Sequence, residues 1–118
     1  MIELENITKS FGSPPTDVLR GVNLSVTEGE FVGVLGPSGS GKSTLLNILG
    51  TLDRPTSGRV MLAGEDTSQL SDNELSDLRC HRIGFVFQQF HLTDGRTALD
   101  NVGDGLLYRG HSRAARRR

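Results

Sequence analysis

The stretch GPSGSGKST, Gly36–Thr44, decides the fold of this chain. It matches the pattern G-x-x-x-x-G-K-[S/T] at every fixed position. Glycines at positions 36, 39 and 41 let the backbone curl so that successive N–H groups point inward at phosphate oxygens. We call residues 36–44 the P-loop. A Gly- and Ser-rich turn is the alternative, and the segments on either side decide against it.

The P-loop is flanked by one predicted strand and one predicted helix. Residues 31–35, FVGVL, form a continuous apolar run, which is typical of a strand buried on both faces. A helix follows over residues 42–50 with a broad apolar stripe. The positive end of that helix faces any anion in the P-loop. This strand-loop-helix context favours binding of a nucleoside triphosphate.

The polar side chains of the P-loop have predicted roles in that binding. Lys42 carries a mobile ammonium that can reach the β- and γ-phosphates, and the Ser43 hydroxyl can bind Mg²⁺. The predicted cofactor-binding residues are Gly36, Pro37, Ser38, Gly39, Ser40, Gly41, Lys42, Ser43 and Thr44.

The rest of the chain predicts an α/β protein with an antiparallel β region at its start. Alternating apolar residues over 1–30 indicate short antiparallel strands. Ser71 and Glu74 form a capping box, so a helix is expected to begin near Asp72. Residues 83–87, IGFVF, predict a second buried strand that ends at Gln88. An amide there can bind Mg²⁺ or orient a water molecule, although an ordinary polar residue at a strand end fits equally well.

Composition and charge limit the functional classes. The 118 residues contain one cysteine, Cys80, and no run of apolar residues long enough to span a membrane. Residues 1–108 hold 8 Lys or Arg against 14 Asp or Glu, whereas residues 109–118 hold five Arg and no acid. Because the acidic body would repel a phosphate backbone, we expect no nucleic-acid partner and interpret the basic end as the polar side of a helix.

In combination, these segments resemble the ATP-binding subunits of ABC transporters. The similar segments are EGEFVGVLGPSGSGKSTLLNILGTLDRPTSG (28–58), LSDNELSDLR (70–79) and RIGFVFQQFHL (82–92), preceded by a strand with an aromatic residue at position 11. The macrolide-export and lipoprotein-release group is the most similar, since it has segments like IGFVFQQF and TALDNV (97–102). The resemblance covers essentially the whole chain.

This resemblance implies a fold, cofactors and partners. It implies the N-terminal part of one nucleotide-binding domain: a β region (1–30), the P-loop unit (31–50) and a Q-loop region (83–102). ATP and Mg²⁺ are the implied cofactors, Gln88 is the implied catalytic glutamine and a metal ligand, and Phe11 is implied to stack on adenine. The loop after Gln88 is implied to contact a transmembrane permease at the cytoplasmic face of the membrane. A second ATP-binding subunit would complete a dimer.

Several parts of the family's catalytic machinery are missing from the sequence. No apolar strand is followed by Asp-Glu, and there is no LSGGQ signature. We therefore expect this chain alone to be incomplete for ATP hydrolysis, marginally stable and prone to associate. The alternatives are a module that binds nucleotide without turnover and, with less support, a P-loop kinase acting on a small molecule.

Overall fold

A computed structural model describes residues 1–88 and 92–104 of the chain. The chain divides into two compact units, Met1–Leu75 and Ser76–Arg118. Among the described residues, no helix is long and apolar enough to cross a bilayer. The basic residues 109–118 and the end of the RIGFVFQQFHL segment at 89–91 lie outside the described residues.

The first unit contains a four-stranded antiparallel sheet. Its strands are β1 (Ile2–Phe11), β2 (Thr16–Val26), β3 (Ser57–Leu62) and β4 (Glu65–Asp66). Their order across the sheet is β2-β1-β3-β4, with β1 paired to both β2 and β3. The antiparallel region expected over residues 1–30 is therefore present as β1 and β2, and the later strand β3 extends it.

Helices α1 (Lys42–Leu49) and α2 (Asp72–Arg82) begin where the sequence predicts them. A 3-10 helix at Thr67–Gln69 and helix α3 (Ala98–Gly103) were not anticipated. The core of the first unit lies between α1 and the sheet. Its buried residues are Leu4, Ile7, Leu19, Leu45, Ile48 and Val60. Each such side chain contributes about 2 kcal/mol when it leaves water, so this packing fixes α1, and with it the P-loop, on the sheet.

The predicted strands at 31–35 and 83–87 are wrong for this chain. Neither segment has strand structure, and Phe31, Leu35 and Val86 are 99%, 95% and 101% exposed. A central parallel strand requires hydrogen-bonded neighbours on both sides and helices on both faces. The described residues provide no such neighbouring strand for either segment. The apolar composition of both segments predicted burial, and the exposed fractions of Phe31, Leu35 and Val86 contradict that prediction as well.

The predicted capping box at the start of α2 is confirmed. The Glu74 carboxylate accepts a hydrogen bond from the Ser71 backbone N–H at 2.7 Å, and the Ser71 hydroxyl accepts one from the Glu74 N–H at 3.3 Å. The pKa of Glu74 is lowered below its ordinary value of 4.5. The hydrogen bond with the Ser71 backbone has the larger effect, and the hydrogen bond with the Ser71 side chain has the smaller one. The ionised carboxylate is therefore part of the helix start.

The lowered pKa gives a testable pH dependence. Because the folded-state pKa lies below 4.5, the cap stabilises the helix above that pH and is lost as the pH falls through the folded pKa. An NMR titration of the Glu74 side-chain carboxyl should give a midpoint below 4.5. In Ser71→Ala the midpoint should rise toward the ordinary value. A wild-type midpoint at or above the ordinary value would contradict the assigned cap.

Candidate functional site

Glycines shape the P-loop because two of its positions have a backbone conformation that other residues rarely adopt. Gly39 and Gly41 have φ angles of 79° and 96°, in the left-handed region that strains other residues. A Cβ on Gly36 would lie 2.8 Å from the Ser40 hydroxyl oxygen. Gly39 and Gly41 therefore supply the curled backbone predicted from the sequence, and Gly36 leaves room for the Ser40 side chain.

Gly41 also holds the P-loop against the sheet. A Cβ at this position would lie 3.1 Å from the Val18 carbonyl oxygen and 3.0 Å from a methyl group of Leu19. Lys9 pairs with Leu19 and Ser10 with Asp17, so Val18 is an extra residue on β2. Such a bulge bends the strand and redirects its side chain. The bulge places Val18 beside the loop.

Lys42 is hydrogen-bonded to the loop that contains it. Its ammonium donates to the Gly36 carbonyl at 2.5 Å, to the Pro37 carbonyl at 2.7 Å and to the Ser40 hydroxyl at 3.3 Å. An ammonium has three N–H donors, and each has an acceptor here. Gly36, Pro37 and Ser40 thus hold the charge of Lys42 at the start of α1.

An open depression of about 450 Å³ lies beside the P-loop. It is lined by Val18, Ser38, Gly39, Gly41, Lys42, Ser43 and Thr44. The first helical bond of α1 runs from the Leu45 N–H to the Gly41 carbonyl, so the preceding backbone N–H groups are not used by the helix. The first turn of α1 has no acidic side chain, whereas that of α2 has Asp72 and Glu74. The start of α1 therefore suits an anion.

Phe11 lies at the end of β1, close to this depression along the sheet. It pairs with Thr16, two residues before Val18, and strand geometry puts Phe11 about 8 Å from Val18. Phe11 as a whole residue is 47% exposed, and the Lys9 ammonium lies over its ring, 5.0 Å from the centroid. Phe11 is therefore available to a planar ligand at the edge of the P-loop.

Gln88 lies in the second unit, where its side chain is exposed at a bend. Its role near Mg²⁺ stays a prediction. Within residues 1–88 and 92–104, no three His, Cys, Asp or Glu side chains are grouped as a metal site. The sequence predicts Ser43 and Gln88 as protein ligands of Mg²⁺.

Two residues of this site were missed in the sequence. Val18 was assigned to a short strand, and its contact with the P-loop depends on a bulge that the alternating pattern does not reveal. The position of Lys9 beside Phe11 could have been predicted, because residues two apart on a strand share a face and Lys9 lies two residues before Phe11.

Comparison with known proteins places these features in one family. The ABC transporter family matches residues 19–118 of the chain. A lipoprotein-releasing system ATP-binding protein, LolD of Geobacter metallireducens, is 53% identical over 97% of the chain and 52% of its own length. The pyoverdine export ATP-binding/permease protein PvdT of Pseudomonas fluorescens is 52% identical over 98% of the chain and 19% of its own length.

A solved structure extends the comparison to the fold. The dimeric ATP-binding cassette MJ0796, bound to ADP and phosphate, is 48% identical with a TM-score of 0.91. The match covers 99% of this chain and 53% of that one. It confirms the expected partial P-loop NTPase core of ABC type with an antiparallel β subdomain. The chain spans about half the length of the LolD and MJ0796 chains and a fifth of PvdT.

The contact between Gly41 and β2 can be tested with two alanine variants. Gly39→Ala and Gly41→Ala both place a side chain at positive φ, which costs about 1–2 kcal/mol. Only the Gly41 side chain would also press on Val18 and Leu19, because nothing lies within 4 Å of a Cβ on Gly39. In urea unfolding, we expect the free energy of unfolding to fall by about 1 kcal/mol more in Gly41→Ala than in Gly39→Ala. Equal losses would show that this packing does not hold the loop.

Proposed function

The chain belongs to the ABC transporter family, and we propose that its P-loop binds ATP together with Mg²⁺. One observation carries the proposal. The ammonium of Lys42 is held at the start of α1, beside an open depression whose wall includes Ser38, Ser43 and Thr44. Positive charge and backbone N–H groups directed at one open space are the requirements of a phosphate site.

The residues fit the parts of MgATP in a simple way. Lys42 and the P-loop amides hold the β- and γ-phosphates, and the Ser43 hydroxyl, which is exposed at the start of α1, binds Mg²⁺. Phe11 is a half-exposed residue whose ring is proposed to stack on adenine. Gln88 is proposed to complete the Mg²⁺ shell or to orient water. When bound beside Ser43, Mg²⁺ would supply positive charge against the phosphates in addition to that of Lys42.

By family the chain is an ABC-type ATPase. We propose that these 118 residues alone bind ATP without turnover, because the aspartate, glutamate and LSGGQ segments of the complete family machinery are absent from them. In the complete protein, two ATP-binding subunits would enclose ATP between them. The MJ0796 cassette, which is dimeric, supports this arrangement for a related protein.

The proposed membrane partner is a permease bound by the segment after Gln88. Thr97 caps α3 by accepting a hydrogen bond from the Asp100 N–H at 3.1 Å, and the Asn101 side chain donates to the Thr97 carbonyl at 3.0 Å. This ordered helix leaves Leu99 and Val102 46% and 82% exposed. Exposed apolar side chains on a capped helix suit docking to another protein.

The transport process is proposed from the relatives. One relative is named for lipoprotein release and another for pyoverdine export, so we propose that the complete protein powers export or lipoprotein release. We propose that the chain acts at the cytoplasmic face of the membrane, where ATP is available.

The phosphate role of Lys42 is testable by titrating MgATP into the wild-type chain and Lys42→Ala. A charge-assisted hydrogen bond to phosphate is worth about 1.5–3 kcal/mol, so we expect Kd to rise about 10- to 100-fold. Arg59→Ala is the matched control, because it removes an exposed cation that pairs with Glu5 on the sheet and does not line the depression. Its Kd should stay close to the wild-type value.

Equal affinities of wild type and Lys42→Ala would rule out the proposed phosphate site. The same samples can be assayed for phosphate release. Turnover by the wild-type chain that is lost in Lys42→Ala would overturn the proposal that these residues bind without hydrolysis.

A further inference from the structure

We propose that Lys9 is a positioning residue that holds the Phe11 ring for stacking of the nucleotide base. This inference rests on the proposed binding of ATP, and in particular on Phe11 as the base-stacking residue. Lys9 itself is not proposed to touch the ligand. It acts by fixing one face of the ring so that the base can stack on the other.

The Lys9 side chain is held in place at its charged end. Its ammonium donates a hydrogen bond to the Asp53 carboxylate at 3.1 Å and another to the Arg54 carbonyl at 2.7 Å. The side chain of Lys9 is only 14% exposed. A lysine with two acceptors and little exposure has lost most of its rotamer freedom, so its position over the ring is defined.

The same ammonium lies over the Phe11 ring, 5.0 Å from its centroid, which is within the range of cation–π attraction. One face of the ring is therefore occupied by a cation, while the residue as a whole remains 47% exposed. A half-exposed ring at the end of a strand would otherwise turn about its side-chain bonds. Lys9 reduces that freedom before a ligand arrives, and such preorganisation improves affinity.

The anchor of Lys9 also connects the ring with the P-loop. Asp53 and Arg54 follow α1, whose first residue is Lys42. The backbone supports the same link, because the Thr56 N–H donates to the Thr8 carbonyl at 2.8 Å and the Thr56 hydroxyl accepts from the Ser10 N–H at 3.0 Å. The end of β1 is thus joined to the segment after α1 on both sides of Lys9. Because the segment after α1 anchors Lys9, the Phe11 ring is held at a fixed position relative to the phosphate site at the start of α1.

The test separates the base from the phosphates. Kd is measured for MgATP and for magnesium tripolyphosphate, and the Kd of tripolyphosphate divided by the Kd of MgATP reports the contribution of the nucleoside. We expect Lys9→Met, which keeps the stem and removes the charge, to reduce this ratio about two- to fivefold through weaker ATP binding alone. Lys9→Arg retains a cation and should keep more of the ratio than Lys9→Met. Asp53→Asn, which loosens the anchor, should give a partial reduction.

Phe11→Leu is the control that separates the proposed stacking of Phe11 on the base from the proposed positioning of its ring by Lys9. If it leaves the ratio unchanged, Phe11 does not stack on the base, and the inference about Lys9 falls with it. If Phe11→Leu reduces the ratio but Lys9→Met does not, Phe11 keeps its role and the inference about Lys9 is overturned. An equal loss of affinity for MgATP and tripolyphosphate in Lys9→Met would also overturn it, because Lys9 would then support the fold or the phosphate site.

Discussion

The packing of α1 onto the antiparallel sheet is the interaction on which the rest of the site depends. Leu45 and Ile48 enter the core, and Ile48 is only 1% exposed. Because α1 begins at Lys42, any shift of the helix moves the proposed phosphate site. The contact of Gly41 with the Val18 bulge adds a second fixed point at the start of the helix. The site is therefore built where a helix start and a strand meet.

Electrostatics then determines what that site can hold. The start of α1 has no acidic side chain and carries the Lys42 ammonium, whereas the start of α2 is already neutralised by its own capping carboxylate, Glu74. Two helices of similar length thus have opposite preferences at their N-termini. An anion is favoured at α1 and disfavoured at α2. The difference follows from a few side chains and not from the fold itself.

Interactions between residues close in sequence could be predicted from the sequence. Contacts between distant segments could not. The P-loop pattern and the Ser71–Glu74 capping box depend on residues a few positions apart, so their interactions could be anticipated. The strands expected at 31–35 and 83–87 depend on neighbours elsewhere, which the described residues do not supply. The contact of Val18 with the P-loop depends on one extra residue in the register of β2. Neither hydrophobic periodicity nor composition contains that information.

The most direct test of this account is a titration of the ¹⁵N-labelled chain with MgATP, followed through its backbone amide signals. The account predicts saturable shifts that are largest at the amides of residues 39–44. The N-terminus of α2 serves as an internal reference, because its acidic first turn should leave its amides nearly unchanged. Saturable shifts centred on α2, or no saturable shift in the P-loop, would contradict the claim that this loop binds nucleotide.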